Sequence, residues 1–415
     1  MLIGTVIVLL ALGAIMVYSA SSVFGYTSNA HDATYFFKRH LVWIGAGIFI
    51  AFITALIKPR FWDSPVVWLI WVVLVASLIM VRFLGEATLG ATRAFEIAGI
   101  SVQPSELAKI VIPLTCAHQI SRFHEGELSV GKFSLLMLLI VGTPVLLIVA
   151  QPDLGTSIIA LVAVIAVMWF GELPRAWVAL VIAVCVVLGV AMIALVSFRG
   201  DRIAAWLNPL SDQSSQIANG LYALSEGGLT GVGLGNSAQK YLYLQYAYND
   251  FIFPIIGEEL GWLGCIFVVV VFLLFCRSSL QVGQSASGIF GRMVAQTSGA
   301  VISFQAFLNM FCTTGLLPVT GKPLPFISYG GSSMITTMIL VGLILSVSLH
   351  DSSDEPGRMR SQIEVVQGTG KGDSDAGGYW IVDGSSARQT GVSGAYGSSR
   401  STSFARRSLR LSKFT

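Results

Sequence analysis

Nine apolar runs, each close to the roughly 20 residues a helix needs to cross a bilayer, set the terms for any fold this chain can adopt. They fall near 2–22, 39–57, 66–84, 134–150, 155–171, 174–196, 259–276, 295–314 and 334–349. A tenth, near 105–118, is shorter and carries Glu106 and Lys109. Of the 415 residues, 54% are hydrophobic and 11% charged, with a mean hydropathy of +0.76, whereas a soluble domain is about 25% charged. Neither a cytosolic globular protein nor a disordered chain could keep that much apolar surface out of water. The expected fold is an all-α polytopic membrane protein with about ten transmembrane helices in residues 1–349. The net charge of +3 gives nucleic-acid binding no electrostatic support. Cys116, Cys185, Cys265, Cys276 and Cys312 lie in or beside apolar runs without a CxxC pair, so they read as small core residues and not as disulfides or zinc ligands. The five histidines are too scattered to suggest a metal site.

Ten crossings would put both termini on one side. The first run resembles a signal peptide at Tyr18-Ser19-Ala20, but it lacks a basic start and its apolar stretch is too long, which favours an uncleaved helix. Lys58, Arg60, Arg122, Lys132, Arg175, Arg277 and Arg292 fall in connections on the side of the termini, against Lys38, Arg39, Arg82, Arg93, Arg199, Arg202, Lys240 and Lys322 on the other. Seven against eight decides nothing; nine further Lys and Arg in the tail place the termini in the cytoplasm by the positive-inside rule. The outer cations then call for an anionic ligand.

Residues 197–250 read as one long outer loop, too polar to span, whose Tyr241, Tyr243, Tyr246 and Tyr248 suggest an ordered segment at the interface. The tail 350–415 is Ser- and Gly-rich, with six basic and no acidic residues from Arg388 onward, and reads as disordered and able to touch anionic lipid.

Charges inside spans are costly and are functional candidates by default. Glu106 and Lys109, three apart, share a helix face and can pair, either to orient helices or to wall a polar cavity. Asp153, in Gln151-Pro152-Asp153-Leu154-Gly155-Thr156, could cap the next helix and line a cavity at once. Asp250 opens the run Asn249-Asp250-Phe251-Ile252-Phe253-Pro254, where a long outer loop meets a helix. It could be a plain N-cap, or a general base beside a loop large enough to cover a substrate.

The segment Arg93 to Lys109, with Gln103-Pro104-Ser105-Glu106-Leu107-Ala108-Lys109, resembles the QPSExxK motif of the shape, elongation, division and sporulation family, to which FtsW and RodA belong. So do Tyr18-Ser19-Ala20-Ser21-Ser22, Phe37-Lys38-Arg39, the Asp153 motif, Gly227-Gly228-Leu229 through Gly233-Leu234-Gly235-Asn236-Ser237, the Asp250 run, and Pro323-Leu324-Pro325-Phe326-Ile327-Ser328-Tyr329-Gly330-Gly331-Ser332-Ser333. These motifs keep the family's order across about residues 5–349.

That resemblance implies a peptidoglycan glycosyltransferase of the bacterial cytoplasmic membrane, which polymerises lipid II at the outer face beside a class B penicillin-binding transpeptidase and other division or elongation proteins. Asp250 matches the family's essential acid, expected to deprotonate the acceptor hydroxyl for an inverting attack on the donor, with undecaprenyl pyrophosphate leaving. Lys38, Arg39, Arg93 and Lys109 would offset the leaving charge. Glu106 and Asp153 map to the polar central cavity, and Gln103, Ser105, Lys240, Ser328 and Ser332 are the remaining expected substrate contacts. No resident metal is implied; a divalent cation, magnesium or manganese, could accompany the lipid pyrophosphate. Two departures stand near this site: Ala94 where the family has Trp, and Gln245-Tyr246-Ala247-Tyr248 where it reads Pro-Glu-x-His. Gly233 through Lys240 resembles the division branch more, whereas Val319-Thr320-Gly321 and the end at His350 also suit the elongation branch. The competing functions are a lipid flippase or transporter, which the intramembrane charges suggest but no inverted repeat supports, and a scaffold that only recruits a transpeptidase.

Overall fold

The computed structural model describes residues 1–28, 31–84, 86–88, 91–97, 100–151, 153–195, 206, 208, 216–241, 243–244, 247–350, 364–366 and 380–382. Its helices are α1 (Leu2–Ser28), α2 (Tyr35–Leu56), the short α3 (Pro59–Trp62), α4 (Val66–Leu84), α5 (Pro104–His124), α6 (Val130–Ala150), α7 (Leu154–Phe170), α8 (Arg175–Leu195), α9 (Gln216–Gly227), α10 (Ile252–Gln284), α11 (Ile289–Thr313) and α12 (Gly331–His350). Each of the ten apolar runs maps to one long helix. Among the described residues, five of these (α1, α2, α6, α10 and α12) are long and apolar enough by themselves to cross a membrane. The run near 105–118 extends to His124 because its last turns carry Gln119, Ser121, Arg122 and His124, which a hydropathy window excludes but a helix does not.

The helices are arranged as in lipid, with apolar residues outside as well as inside. On α6, Met137, Ile140 and Ile148 are buried while Leu135, Leu138 and Leu146 are exposed. α5 is different: it packs on α4, α6, α7 and α11 and is buried almost all round from Pro104 to Ser121. Close seams use small residues. Gly47 on α2 faces Met334 and Met338 of α12, Gly342 of α12 faces Ala51 and Thr54, and Gly299 of α11 sits against Ser279 of α10.

One departure from the all-α expectation and one from the single-loop reading of 197–250 accompany this bundle. Before α5, β1 (Glu86–Thr88), β2 (Ala91–Ile97) and β3 (Ile100–Val102) form a small antiparallel sheet in the order β1-β2-β3, with the register of the first pair shifting between Glu86 and Ala87. Short polar and β-branched stretches between spans can close a meander without the periodicity that a longer strand displays. The segment read as one loop over 197–250 contains α9 and a glycine-rich stretch that packs on α10. Tyr241 and Tyr243 of that segment are exposed and Tyr248 is buried, in contact with Phe24, Phe36 and Tyr329; Tyr246 lies outside the described residues.

α10 explains why the glycine-rich stretch is ordered. At Gly261 the backbone takes φ 69° and ψ −170° and the helix breaks, a conformation that favours glycine. A break inside a span strands main-chain groups that lipid cannot satisfy. Here Val232 and Gly233 donate N–H to the carbonyls of Glu258 and Glu259, while Trp262 and Leu263 donate to the carbonyls of Gly228 and Leu229. The side chains complete the join. Glu258 accepts from the Ser237 hydroxyl at 2.6 Å and the Ala238 N–H at 2.5 Å. Glu259 accepts from Ser19 of α1 at 2.5 Å and from Lys240 at 3.3 Å.

Residues 353–415 form a separate unit. Within it, β4 (Glu364–Val366) pairs antiparallel with β5 (Trp380–Val382), Val365 opposite Ile381. The rest of the tail lies outside the described residues.

Candidate active site

Pro104 opens α5 at the position where a missing N–H costs nothing, and places Glu106 and Lys109 one turn apart facing the bundle centre. The Lys109 ammonium lies 2.6 Å from Glu106 Oε2 and donates to Gln305 Oε1 of α11 at 2.7 Å. Lys322, from the connection between α11 and α12, lies 3.6 Å from Glu106 Oε1 and 2.9 Å from Asp153 Oδ1. Lysines and carboxylates thus alternate as Lys109, Glu106, Lys322, Asp153. Their exposures are 1%, 2%, 5% and 2%, so none could remain charged there alone. Two charges of each sign make the cluster formally neutral, and the hydroxyl of Thr336, 3.5 Å from Glu106 Oε2, adds a further polar neighbour.

Asp153 ends this chain of charges and caps α7. Its Oδ1 accepts from the Thr156 N–H at 3.2 Å, and its Oδ2 from the hydroxyls of Thr156 at 2.8 Å and Ser105 at 2.9 Å and from the Gln103 amide at 2.8 Å. Capping and centre-lining are therefore one role. The Gln103 N–H donates to Ser332 Oγ at 3.2 Å, joining the start of α5 to the start of α12. Lys322 lies across the first turn of α7, where a methyl built on Gly155 would meet its Cγ at 2.6 Å.

α10 starts at Ile252 with Phe251 in the N-cap position, and Phe251 makes no side-chain cap bond. The Asp250 carbonyl accepts from Asn309 Nδ2 of α11 at 2.8 Å, and the same nitrogen donates to the Lys322 carbonyl at 2.7 Å. A methyl on Gly321 would sit 3.3 Å from Asp250 Oδ2. The half-buried carboxylate of Asp250 therefore borders the backbone next to Lys322, whose ammonium belongs to the neutral cluster.

The structure gathers Gln103, Ser105, Glu106, Lys109, Asp153 and Ser332 into one centre and leaves the other expected contacts elsewhere. Lys38 is exposed at the start of α2, 3.0 Å from Asp32. Hydrogen bonds from Thr34, with the nearby Lys38, hold the Asp32 carboxyl down at about 2, so Asp32 stays ionised at neutral pH. Arg39 donates to the Tyr35 hydroxyl at 2.7 Å and lies 5.5 Å from that ring's centre. Lys240 is buried in the α10 join, bonded to Glu259, Ser19 and the Gly235 carbonyl. Ser328 closes its own turn, accepting from the Leu324 N–H at 2.8 Å. Arg93 is in β2 and its side chain is not among those described. Of the two departures from the family pattern, Ala94 lies in β2 and Gln245-Tyr246 fall outside the described residues.

Sequence reasoning counted Lys322 among the outer cations without giving it a role, and passed over Gln305 and Asn309. Their signal was a polar stripe on an otherwise apolar span: Gln305, Asn309 and Cys312 share one helix face and bond the carbonyls of Pro323, Lys322 and Pro318.

A bundle of apolar helices that buries a neutral cluster of lysines and carboxylates defines a polytopic membrane protein with a polar centre. The cell cycle protein family model named for FtsW, RodA and SpoVE matches residues 1–353, and the chain belongs to that family. A probable peptidoglycan glycosyltransferase FtsW of Trichlorobacter lovleyi is 34% identical over 83% of this chain and 91% of its own length. One from Geobacter metallireducens is 36% identical over 82% and 92%. The Mycobacterium tuberculosis relative of that name is 33% identical over 85% and 68%. The fold matches a chain of a peptidoglycan synthase complex, with TM-score 0.68 and 24% identity over 85% of this chain and 98% of that one. It also matches the rod shape determining protein RodA of Thermus thermophilus, with TM-score 0.64 and 23% identity over 85% and 97%.

Proposed function

We propose that this chain is a peptidoglycan glycosyltransferase that polymerises lipid II at the outer face of the bacterial cytoplasmic membrane, with Asp250 as its general base. The observation that carries this reading is the placement of Asp250: an acid at the entry to α10, tied through Asn309 to the loop of Lys322, in a chain whose relatives bear that activity in their names.

The Asp250 carboxylate takes the proton of the acceptor sugar hydroxyl as that oxygen attacks the donor's anomeric carbon. The bond from that carbon to the pyrophosphate breaks from the opposite face, inverting the centre, and undecaprenyl pyrophosphate departs. A sugar hydroxyl is a weak nucleophile until a base removes its proton, which contributes about 10²–10⁴ in rate. Among the described residues on the proposed outer side, exposed Lys38 and half-buried Arg39, at the start of α2, are the cations placed to meet the pyrophosphate. Lys109 and Lys240 act from within, since protein groups already occupy their ammonium hydrogens. The buried carboxylates do not suit a resident divalent ion, because Glu106 and Asp153 are each engaged by a lysine. Any magnesium or manganese would arrive with the lipid pyrophosphate.

In this reading all ten long helices cross the membrane, both termini are cytoplasmic, and 197–250 lies outside. The FtsW name shared by the relatives supports the division branch, with a class B transpeptidase as partner. The neighbouring complex described as coordinating polymerization and crosslinking supports such pairing.

Labelled lipid II given to the purified protein in detergent, with and without a transpeptidase partner, tests the activity. Glycan strands are expected from the wild type. Detergent has no leaflets to flip between, so a protein that forms no strands under either condition would be a flippase or a scaffold instead.

A further inference from the structure

Asn309 is 2% exposed, and its amide is used from one side only. Nδ2 donates to the Asp250 carbonyl at 2.8 Å and the Lys322 carbonyl at 2.7 Å, while Oδ1 is buried with no hydrogen-bond partner. A buried amide with an orphaned acceptor is a poor choice for stability alone. Such breaches of local economy concentrate at functional sites. The two carbonyls it joins belong to segments far apart in sequence, the turn before α10 and the loop before α12. One carries the acid that borders Gly321, the other the lysine that pairs with Asp153 and Glu106.

We propose that Asn309 is the positioning residue of the catalytic centre: its single amide nitrogen clamps the Asp250 turn to the Lys322 loop, so that the base is held in register with the buried charge cluster. The proposal rests on the reading of Asp250 as general base. Asn309 itself touches no substrate. It acts by fixing where the Asp250 carboxylate stands, and base catalysis is steep in that position, because a displacement of about 1 Å can cost on the order of 100-fold in rate. Gln305 and Cys312, on the same face of α11, hold the Pro323 and Pro318 carbonyls of the loop. Asn309 alone of these three holds both the loop and the Asp250 carbonyl through one side chain, so it is the one that joins the two segments.

The test uses the full chain with its transpeptidase partner and measures initial polymerisation rates across lipid II concentrations. Asn309→Leu keeps the volume and removes the donor. Its kcat should fall by about 10- to 100-fold with KM within about twofold. In an Asp250→Glu background, where the carboxylate is already displaced, the same substitution should cost much less. A merely structural residue would instead lower the yield of active protein by the same factor in both backgrounds. If Asn309→Leu does not accumulate in membranes, Asn309→Gln, which displaces the donor by a methylene, supplies the same kcat and background comparison. Wild-type kcat in the variant used, a loss carried by KM, or equal losses in both backgrounds would overturn the proposal. A silent Asn309 variant beside an inactive Asp250→Asn removes this proposal alone; an active Asp250→Asn removes the base assignment and this proposal together.

Discussion

Asp250 can be tested by an isosteric change, because Asn caps a helix about as well as Asp but cannot take a proton. Asp250→Asn keeps the shape and the main-chain bond from Asn309, and loses the capacity to take a proton. It should insert and bind its partner normally yet polymerise lipid II about 100-fold more slowly or worse; near wild-type strand synthesis would show the proton goes elsewhere. Glu258 and Glu259 are the next acids in sequence, but both are spent on the join between α10 and the 227–240 segment. Within the charge cluster, removing Glu106 or Lys109 alone leaves a buried ion short of a partner, at about 3–5 kcal/mol. Glu106→Ala and Lys109→Ala should each destabilise severely, and the double change by less than their sum. Strict additivity in a thermal-unfolding cycle would show that the two do not interact. Lys322 reaches both Asp153 and Glu106, so Lys322→Met should lower the unfolding temperature at least as far as Lys109→Met. A melt unchanged from wild type would remove Lys322 from the network.

At the scale of elements, the break in α10 and the stretch that fills it form one unit. Gly231 has φ +81°, and a Cβ there would collide with the Glu259 carbonyl at the break. Gly231→Ala adds an overpacking penalty of about 1–3 kcal/mol to a left-handed backbone cost of about 1–2 kcal/mol. The join should loosen, seen as faster proteolysis within 227–240 and a lower unfolding temperature, while Gly228→Ala, whose Cβ meets nothing within 4 Å, should suffer only the backbone cost at its φ of +52°. Equal behaviour of the two variants would mean that the close approach to α10 does not matter. The glycine motif was legible in the sequence; its purpose was not, because the groups it satisfies exist only once Gly261 has broken a helix some 30 positions further on.

For the whole molecule, a ten-span arrangement puts α9 and the α5–α6 connection on opposite faces. Ser225→Cys and Ser129→Cys, both at exposed positions, should therefore differ in intact spheroplasts: an impermeant thiol reagent applied outside labels the first and spares the second until the membrane is opened. Equal labelling would refute the topology. The long apolar helices were legible from composition and run length, since lipid demands a continuous apolar stretch and a closed set of main-chain hydrogen bonds wherever a chain crosses. The pairing of Glu106 with Lys109 was equally plain, being local to one helix face. The positions of Asp153 and Asp250, each at the junction of a connection and a helix, brought both acids forward as candidates. What the sequence could not decide was which of its two open roles Asp153 fills, or which cation serves it. Asp153 proved to be both cap and cluster member, and Lys322 to be the bridge between Glu106 and Asp153 from 169 positions beyond the latter. Those outcomes depend on long-range contacts between helices and loops, and burial makes an ion's partner obligatory without saying where in the chain it must come from.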